Sequence, residues 1–417
     1  MRILHTSDWH LGKRLGQFSR LREQSIVLEE IVQITNHLQA DAVIISGDLW
    51  DAFNPSADAS ELLYKTLKDL TNFGHRLVVA IAGNHDAPER VEAPEMLARE
   101  CGILLCGFPF TRPSLFQLAG GAAVSLTAPG FAQLTFPQFN YPLRLLLTPY
   151  ANEFRMRQFL GINATEGLRD ALRQHWRNTA DNYCDSKGVN VLVSHLFMTD
   201  GKIVRPEEPL DEARPIVTVG GAGEMFASMV PDQIQYVAMG HLHRRIITAK
   251  EPIPVVYPGS ILQYSFSEAG QPKFVEVVDV EPGKTVHHYP YELKSVWPLI
   301  RHKAESSEAA IQWLSELPKE SYVELTIITP DFLSAEVVKA IHSTHPGIVQ
   351  IIPQREQTSS DESGQRQSLP DPGKEISQLF IEYFQSRHGV LPDKETMALF
   401  EEVIGGSITD ETLIPAN

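Results

Sequence analysis

Two rhythms of apolar and polar positions run through the first hundred residues. Short apolar runs at Arg2 to His5 (RILH), Asp41 to Ser46 (DAVIIS) and Arg76 to Ile81 (RLVVAI) predict buried strands. Between them, Arg20 to Leu38 carries Val27, Ile31, Ile34 and Leu38 at helical spacing, and Ser56 to Phe73 carries Leu62, Leu63, Leu67 and Leu70. Strands alternating with helices in this order form βαβ units that feed a mostly parallel sheet. Further apolar runs at Val189 to Ser194, Gln235 to Met239 and Pro254 to Tyr257 predict more strands. The Pro-, Gly- and Leu-rich stretch from about Phe108 to Tyr150 predicts a peripheral β-hairpin or loop.

Near residue 283 the pattern changes. Helices at Ser307 to Leu317 and Ser334 to His342, with strands at Tyr322 to Ile328 and Ile348 to Ile352, predict a small α+β domain over 283–355. Residues 356–374, rich in Ser, Gln, Asp, Pro and Gly, read as a flexible linker. The tail, 375–417, shows one apolar helix face at Ile376, Leu379, Phe380, Tyr383 and Phe384, with a second helix at Met397 to Ile404.

Composition adds limits. The 417 residues are 43% hydrophobic, enough for two or three cored domains. With 36 basic and 52 acidic residues the formal charge is −16, which disfavours wrapping nucleic acid by bulk electrostatics. Half of that charge lies in the stretch from Glu356 to Asn417, where 12 acidic residues face 4 basic ones. The acidity is therefore concentrated away from the first 355 residues. Three cysteines (Cys101, Cys106, Cys184) without a CxxC pair fit reduced thiols of a cytoplasmic protein. No apolar run approaches the ~18 residues of a membrane span, and no charged leader precedes an apolar stretch, so the expectation is a soluble, intracellular chain.

The candidate chemistry sits where apolar runs end. Asp8-Trp9-His10, Gly47-Asp48-Leu49-Trp50-Asp51, Gly83-Asn84-His85-Asp86, Ser194-His195 and Gly240-His241-Leu242-His243 each follow an expected strand. Ligands in open α/β sheets bind at the carboxyl ends of strands, so the five segments are expected on one edge. Mixed imidazole and carboxylate donors suit manganese, iron or zinc better than magnesium or calcium. Two such metals about 3.5–4 Å apart clamp a phosphodiester and activate a water.

The order DxH, GDxxD, GNHD, H, GHxH resembles the calcineurin-like metallophosphoesterase superfamily. The longer strings ILHTSDWHLG, GDLWD and GHLHR resemble the SbcD family, the nuclease subunit of bacterial SbcCD complexes. The resemblance covers residues 1 to about 355. It implies layered β-sheets flanked by helices, followed by a capping domain that positions DNA and a helical tail. It also implies that Asp8, His10, Asp48 and His243 hold one metal, most often Mn2+, that Asp48 bridges, and that Asn84, His195 and His241 complete the second site. His85 would face the phosphate, with Asp86 orienting it. Asp51 would close a turn, and His5 would be structural. Basic residues flanking these motifs, Lys13, Arg14, Arg20, Arg22, Arg244 and Arg245, are candidates for steering DNA.

Members of this family are homodimers that work with a coiled-coil ATPase of SbcC type. This chain has no phosphate-binding GxxxxGK[ST] loop, because Gly283-Lys284-Thr285 follows a valine at position 278 where the motif needs glycine. Any ATP dependence must then come from another polypeptide, docked on Leu379, Phe380, Tyr383 and Phe384. The dimer contact is expected on the helices near Ser56 to Phe73 and Glu92 to Glu100. The implied activity is manganese-dependent cleavage of duplex ends from 3′ to 5′, with endonuclease action on hairpins and single strands, in DNA repair, recombination and replication. Another phosphodiesterase or phosphatase of the superfamily is the alternative. Protein phosphatases, however, read GDxVDRG and GNHE where this chain has GDLWDAF and GNHD. A non-catalytic scaffold would have lost ligand residues that are all present here.

Overall fold

The structure, a computed structural model, describes residues 1–151, 167–201, 224–330 and 333–354, with seven further positions between 380 and 400. Residues 1–355 form one compact unit and 356–417 another.

The first unit is built on two large sheets. One has six strands in the order His287–Glu292, Phe274–Asp279, Arg2–Thr6, Ala42–Ile45, Leu77–Ile81, Ile103–Cys106. Its last four are parallel and its first two antiparallel. The other has eight strands in the order Ile246–Ala249, Val255–Tyr257, Tyr236–Gly240, Val189–His195, Leu143–Thr148, Phe131–Thr135, Ala123–Ala128, Phe116–Gln117.

Both faces of these strands are apolar because each face meets a different layer. Ile3, Ile44, Val79 and Ile81 pack across the gap onto Leu145, Leu147, Val191 and Val193 of the second sheet. The alternate residues Leu4, Val43, Ile45, Val78 and Ala80 pack outward on Val27, Ile31, Leu63 and Leu67 of the helices Leu21–His37 and Ala57–Leu70. On the far side, Leu172 and Trp176 of the helix Leu168–Tyr183 cover Leu146, Leu192 and Val237. Ser56 caps the second helix by accepting from the Ala59 N–H (3.2 Å), which sets the helix start.

Three expectations change. The stretch 108–150 is no peripheral hairpin but four strands of the second sheet. The strand His287–Glu292 lies beyond the expected boundary at 283 yet pairs with Phe274–Asp279, so the small parallel sheet begins only at Leu299–Ala304, followed by Tyr322–Ile328 and Ile348–Gln354. The helix expected at Glu92 to Glu100 is two short ones, Pro88–Glu92 and Glu95–Glu100, interrupted at Pro94, which lacks the N–H that a continuous helix needs. The small sheet meets the rest through one apolar cluster in which Leu299 and Tyr322 join Leu15 and Phe266.

Among the described residues no helix is long and apolar enough to cross a membrane, and all three cysteines are free. Within the second unit, Phe380 stacks on Phe400 with ring centroids 3.8 Å apart. The linker 356–374, Leu379 and Tyr383 lie outside the described residues.

Candidate metal centre

Loops leaving the carboxyl ends of five parallel strands, three from the first sheet and two from the second, meet at one rim. Two glycines make this approach achievable. A Cβ on Gly240 would stand 1.9 Å from the Ser46 carbonyl, and one on Gly83 would stand 2.1 Å from the Asp48 carboxylate. Asp8, His10, Asp48 and His241 all take left-handed backbone conformations, with φ of 53°, 44°, 52° and 103°. Four such residues in one rim store strain of order 1–3 kcal/mol each. Backbone bonds between loops hold it: Asp8 N–H donates to the Gly47 carbonyl (3.0 Å) and His10 N–H to the Asp48 carbonyl (2.9 Å).

The side chains converge in two overlapping groups. In the first, Nε2 of His10 lies 3.0 Å from Nε2 of His243, with Asp8 beside them. In the second, Oδ1 of Asn84 lies 3.0 Å from both Nε2 of His195 and Nδ1 of His241. One oxygen joins the groups. Oδ2 of Asp48 is 3.4 Å from His10 Nε2 and 3.3 Å from His195 Nε2. Donors bound to a metal at about 2.0–2.2 Å and at right angles to one another stand about 3 Å apart, which matches these separations. The donor set therefore fits two divalent ions, with Asp48 between them.

Electrostatics divide the candidate ligands. Burial pushes His10 and His241 down to about 3, so both rings are neutral and able to bind a cation. Burial also raises Asp8. Burial pushes Asp48 up as well, but His195 and His10 outweigh it and hold the carboxyl well below its usual range. His195 shows the reciprocal effect: burial lowers it, and the Asp48 and Asp8 charges lift it to about 9. Its Nδ1–H donates to the Ser46 carbonyl (2.7 Å), which fixes the ring and aims Nε2 at the rim.

His85 is held beside this cluster. Its N–H donates to Oδ1 of Asp48 (2.9 Å), and its Nδ1–H donates to the Asp51 carbonyl (2.8 Å). The ring lies 4.7 Å from that of His10, and Nε2 is left as the atom that can hold or give a proton. The bond orienting His85 thus comes from the Asp51 backbone rather than from Asp86, as the sequence led us to expect. The Asp86 carboxylate accepts from the N–H groups of Leu49 (3.0 Å), Trp50 (2.9 Å) and Gly83 (2.8 Å), tying one loop to another. Burial raises it to about 6. The carboxylate of Asp51 pairs with Lys13 (2.9 Å) and faces Nδ1 of His10 at 3.4 Å. His5 bridges Ser46 (2.8 Å) and Tyr236 (3.0 Å) inside the sandwich, a structural place.

The basic residues divide. Arg14, Arg22 and Arg244 are exposed. Arg20 is fully buried, paired with Glu23 at 2.5 Å and lying over the Tyr322 ring, so it fastens the small sheet and cannot touch a phosphate. Arg245 is committed to Glu276 through two bonds of 2.8 and 2.9 Å. Three rim residues escaped the sequence. Tyr150 packs against His195 and His241, with centroids 6.3 and 6.4 Å away. Gln24 donates to the His10 carbonyl (2.8 Å), and Glu268 lies beside His243. Tyr150 does follow an apolar strand, Leu143–Thr148, the one signal that linked the other segments, whereas Gln24 and Glu268 carry none.

Fold and rim define the class: mixed α/β sheets flanked by helices, with phosphoesterase ligand loops at the strand ends. A profile of calcineurin-like phosphoesterases matches residues 1–245, and the chain belongs to that family. Within the family it falls in the SbcD branch. It is 34% identical over 414 residues to the SbcD chain of the nuclease SbcCD from Bacillus subtilis (strain 168), a match covering 97% of this chain and 98% of that one. Solved structures with similarity include a 5′-nucleotidase from Staphylococcus aureus, 16% identical with a TM-score of 0.39 over 71% of this chain and 55% of that one. The phosphoesterase Yfce from E. coli is 16% identical with a TM-score of 0.27, covering 67% and 88%.

Proposed function

We propose that this chain is the manganese-dependent nuclease subunit of an SbcCD-type complex. In this reading it cuts duplex DNA ends from 3′ to 5′ and opens hairpins and single strands as an endonuclease. The observation that carries the reading is the Asp48 carboxylate set between two groups of imidazole, amide and carboxylate donors, in a chain that aligns along nearly its whole length with a nuclease subunit. Asp8, His10, Asp48 and His243 would hold one ion, and Asp48, Asn84, His195 and His241 the other. Bound there, the ions would supply charge neutralisation and a hydroxide nucleophile near neutral pH.

The chain's own residues do the rest. The Asp51 carbonyl holds the Nδ1–H of His85, which leaves Nε2 to take up a second proton and, from the doubly protonated ring, give it to the leaving 3′ oxygen or bear on the phosphate. Exposed Arg14, Arg22 and Arg244 steer the backbone of the DNA toward the rim. The ATPase partner would dock on the tail helix that carries Phe380 and Phe384.

The test is purified protein with manganese, an end-labelled duplex, a hairpin, a phosphopeptide and a cyclic nucleotide. Cleavage of the two DNA substrates alone is expected. His85→Ala should lower kcat about 10²–10⁴-fold while both manganese ions still bind. Equal activity on the phosphopeptide would overturn the nuclease reading.

A homodimer fits the exposed apolar residues Phe53, Tyr64, Met96 and Leu97, the last 75% exposed. Leu63, on the expected contact helix Ser56 to Phe73, is by contrast buried in the core and unavailable to a partner. Met96→Glu with Leu97→Glu should halve the mass in light scattering without lowering the melting temperature. An unchanged mass excludes this face.

A further inference from the structure

Glu268 closes the short turn Phe266–Glu268 and lies outside the ligand set, yet it faces one of the ligands. Its Oε1 is 3.6 Å from Nδ1 of His243, an ion-pair distance about half an ångström beyond a hydrogen bond. The other nitrogen of the same ring, Nε2, lies 3.0 Å from Nε2 of His10. The imidazole is thus placed between a carboxylate on one side and the candidate metal position on the other.

The carboxylate is firmly held. Lys273, itself buried, pairs with Glu268 and also donates to Ser260 Oγ (2.8 Å) and to the His243 carbonyl (3.0 Å). The Tyr264 N–H donates to Glu268 Oε1 (3.1 Å). Two residues before Glu268, Phe266 belongs to the apolar cluster with Leu299 and Tyr322, so the small sheet braces the turn. One lysine therefore pins both the backbone of His243 and the group that faces its ring.

A neutral imidazole carries one proton, and the nitrogen beside a fixed carboxylate keeps it. We propose that Glu268 is a positioning residue that holds the His243 proton on Nδ1, so that Nε2 presents its lone pair to the ion shared with Asp8 and His10. The inference rests on His243 being a ligand. Carboxylates behind ligating histidines raise metal affinity about 10–100-fold, which sets the expected effect.

The experiment uses the full chain and two readouts. Manganese binding is followed by calorimetry, and the His243 tautomer is followed in metal-free protein by nitrogen-15 NMR of labelled histidine. Glu268→Gln should weaken one of two manganese binding events about 10–100-fold, leave the other, and let the His243 ring populate both tautomers. Removing the glutamate charge strands Lys273, so Glu268→Leu with Lys273→Met is the second variant. It replaces the buried pair by apolar side chains and should show the same selective loss. Wild-type affinity at both positions in Glu268→Gln overturns the proposal, as does an unchanged Nδ1–H tautomer. A lower metal-free melting temperature with neither change marks a structural role only and overturns it too. If His243→Ala leaves both binding events intact, the ligand assignment itself has failed, and the role of Glu268 falls with it.

Discussion

The two ends of the parallel strands in the second sheet make a useful contrast. At the amino ends, a cleft of about 780 Å³ opens beside Asn190, Ile234 and Pro254, lined by Asp185, Asp232, Lys250, Glu251 and Lys284. At the carboxyl ends lies the rim of histidines and acids. The cleft is large, but its charges are exposed, and Lys284 and Asp185 form ordinary pairs with Glu281 and Arg144. The rim crowds buried donors within 3.0–3.4 Å of one another, where each shifts its neighbours. Mutual perturbation of desolvated groups, rather than volume, distinguishes the chemical end of the sheet.

The largest break in this contrast should come from Asp48→Ala. Its Oδ2 lies between the two donor groups, and its Oδ1 accepts the His85 N–H. Losing it would remove the candidate ligand shared by both groups and free the loop that carries His85. Calorimetry should register neither high-affinity manganese event, and cleavage of labelled DNA should become undetectable. A variant that still cuts would show that the two groups act separately.

A smaller effect should appear as a pH dependence of stability in metal-free buffer. His195 is raised from the ordinary 6.5 to about 9, so the folded state binds its proton more tightly than the unfolded chain does. That contribution is fully present below about pH 6.5 and is lost as pH rises through about 9; for a fully buried ring it is on the order of a few kcal/mol. His195→Asn should melt below wild type at pH 6.5, and the gap should close by about pH 9–10. His10 and His241 work in the opposite direction. Held neutral with values lowered to about 3, they reduce stability as pH falls below about 6.5. A gap that stays constant from pH 6.5 to 10 would mean that His195 is not the group Asp48 holds charged.

How far the rim was legible follows from the same physics. Strands such as Leu77–Ile81 and Val189–His195 are buried on both faces, so they stand out as unbroken apolar runs, and the candidate ligands start where each run stops. The strand Ala123–Ala128 mixes exposed Ser125 and Leu126 with buried ends, and its register shifts between Val124 and Leu126, so it has no clear rhythm. His287–Glu292 (HHYPYE) is polar and contains a proline, because it is an edge strand that needs neither two apolar faces nor every N–H. Arg20 misled for a related reason. A basic residue near a ligand motif reads as a phosphate contact, and only the fold reveals Glu23 three residues on and Tyr322 three hundred residues on. Glu268 was invisible because its partner, His243, is distant in sequence and its own neighbours form no motif.

The smallest effect is expected at the cleft, and it is the sharpest check on the contrast. The strand Val189–His195 spans seven residues, which at about 3.3 Å each separates the cleft from the rim by about 20 Å. That is roughly twice the Debye length of 8–10 Å at physiological salt, so an exposed charge at one end is largely screened at the other. Lys250 and Asp232 are exposed, and among the described residues no salt bridge ties either to the rim. Lys250→Ala and Asp232→Ala should each change stability by no more than about 0.5 kcal/mol in chemical denaturation. Their cleavage rates should stay within about twofold of wild type, because neither side chain reaches the ligands by contact or by field. A tenfold loss of cleavage in Lys250→Ala, with manganese binding and melting unchanged, would make the cleft a DNA contact and reverse the contrast between the two ends.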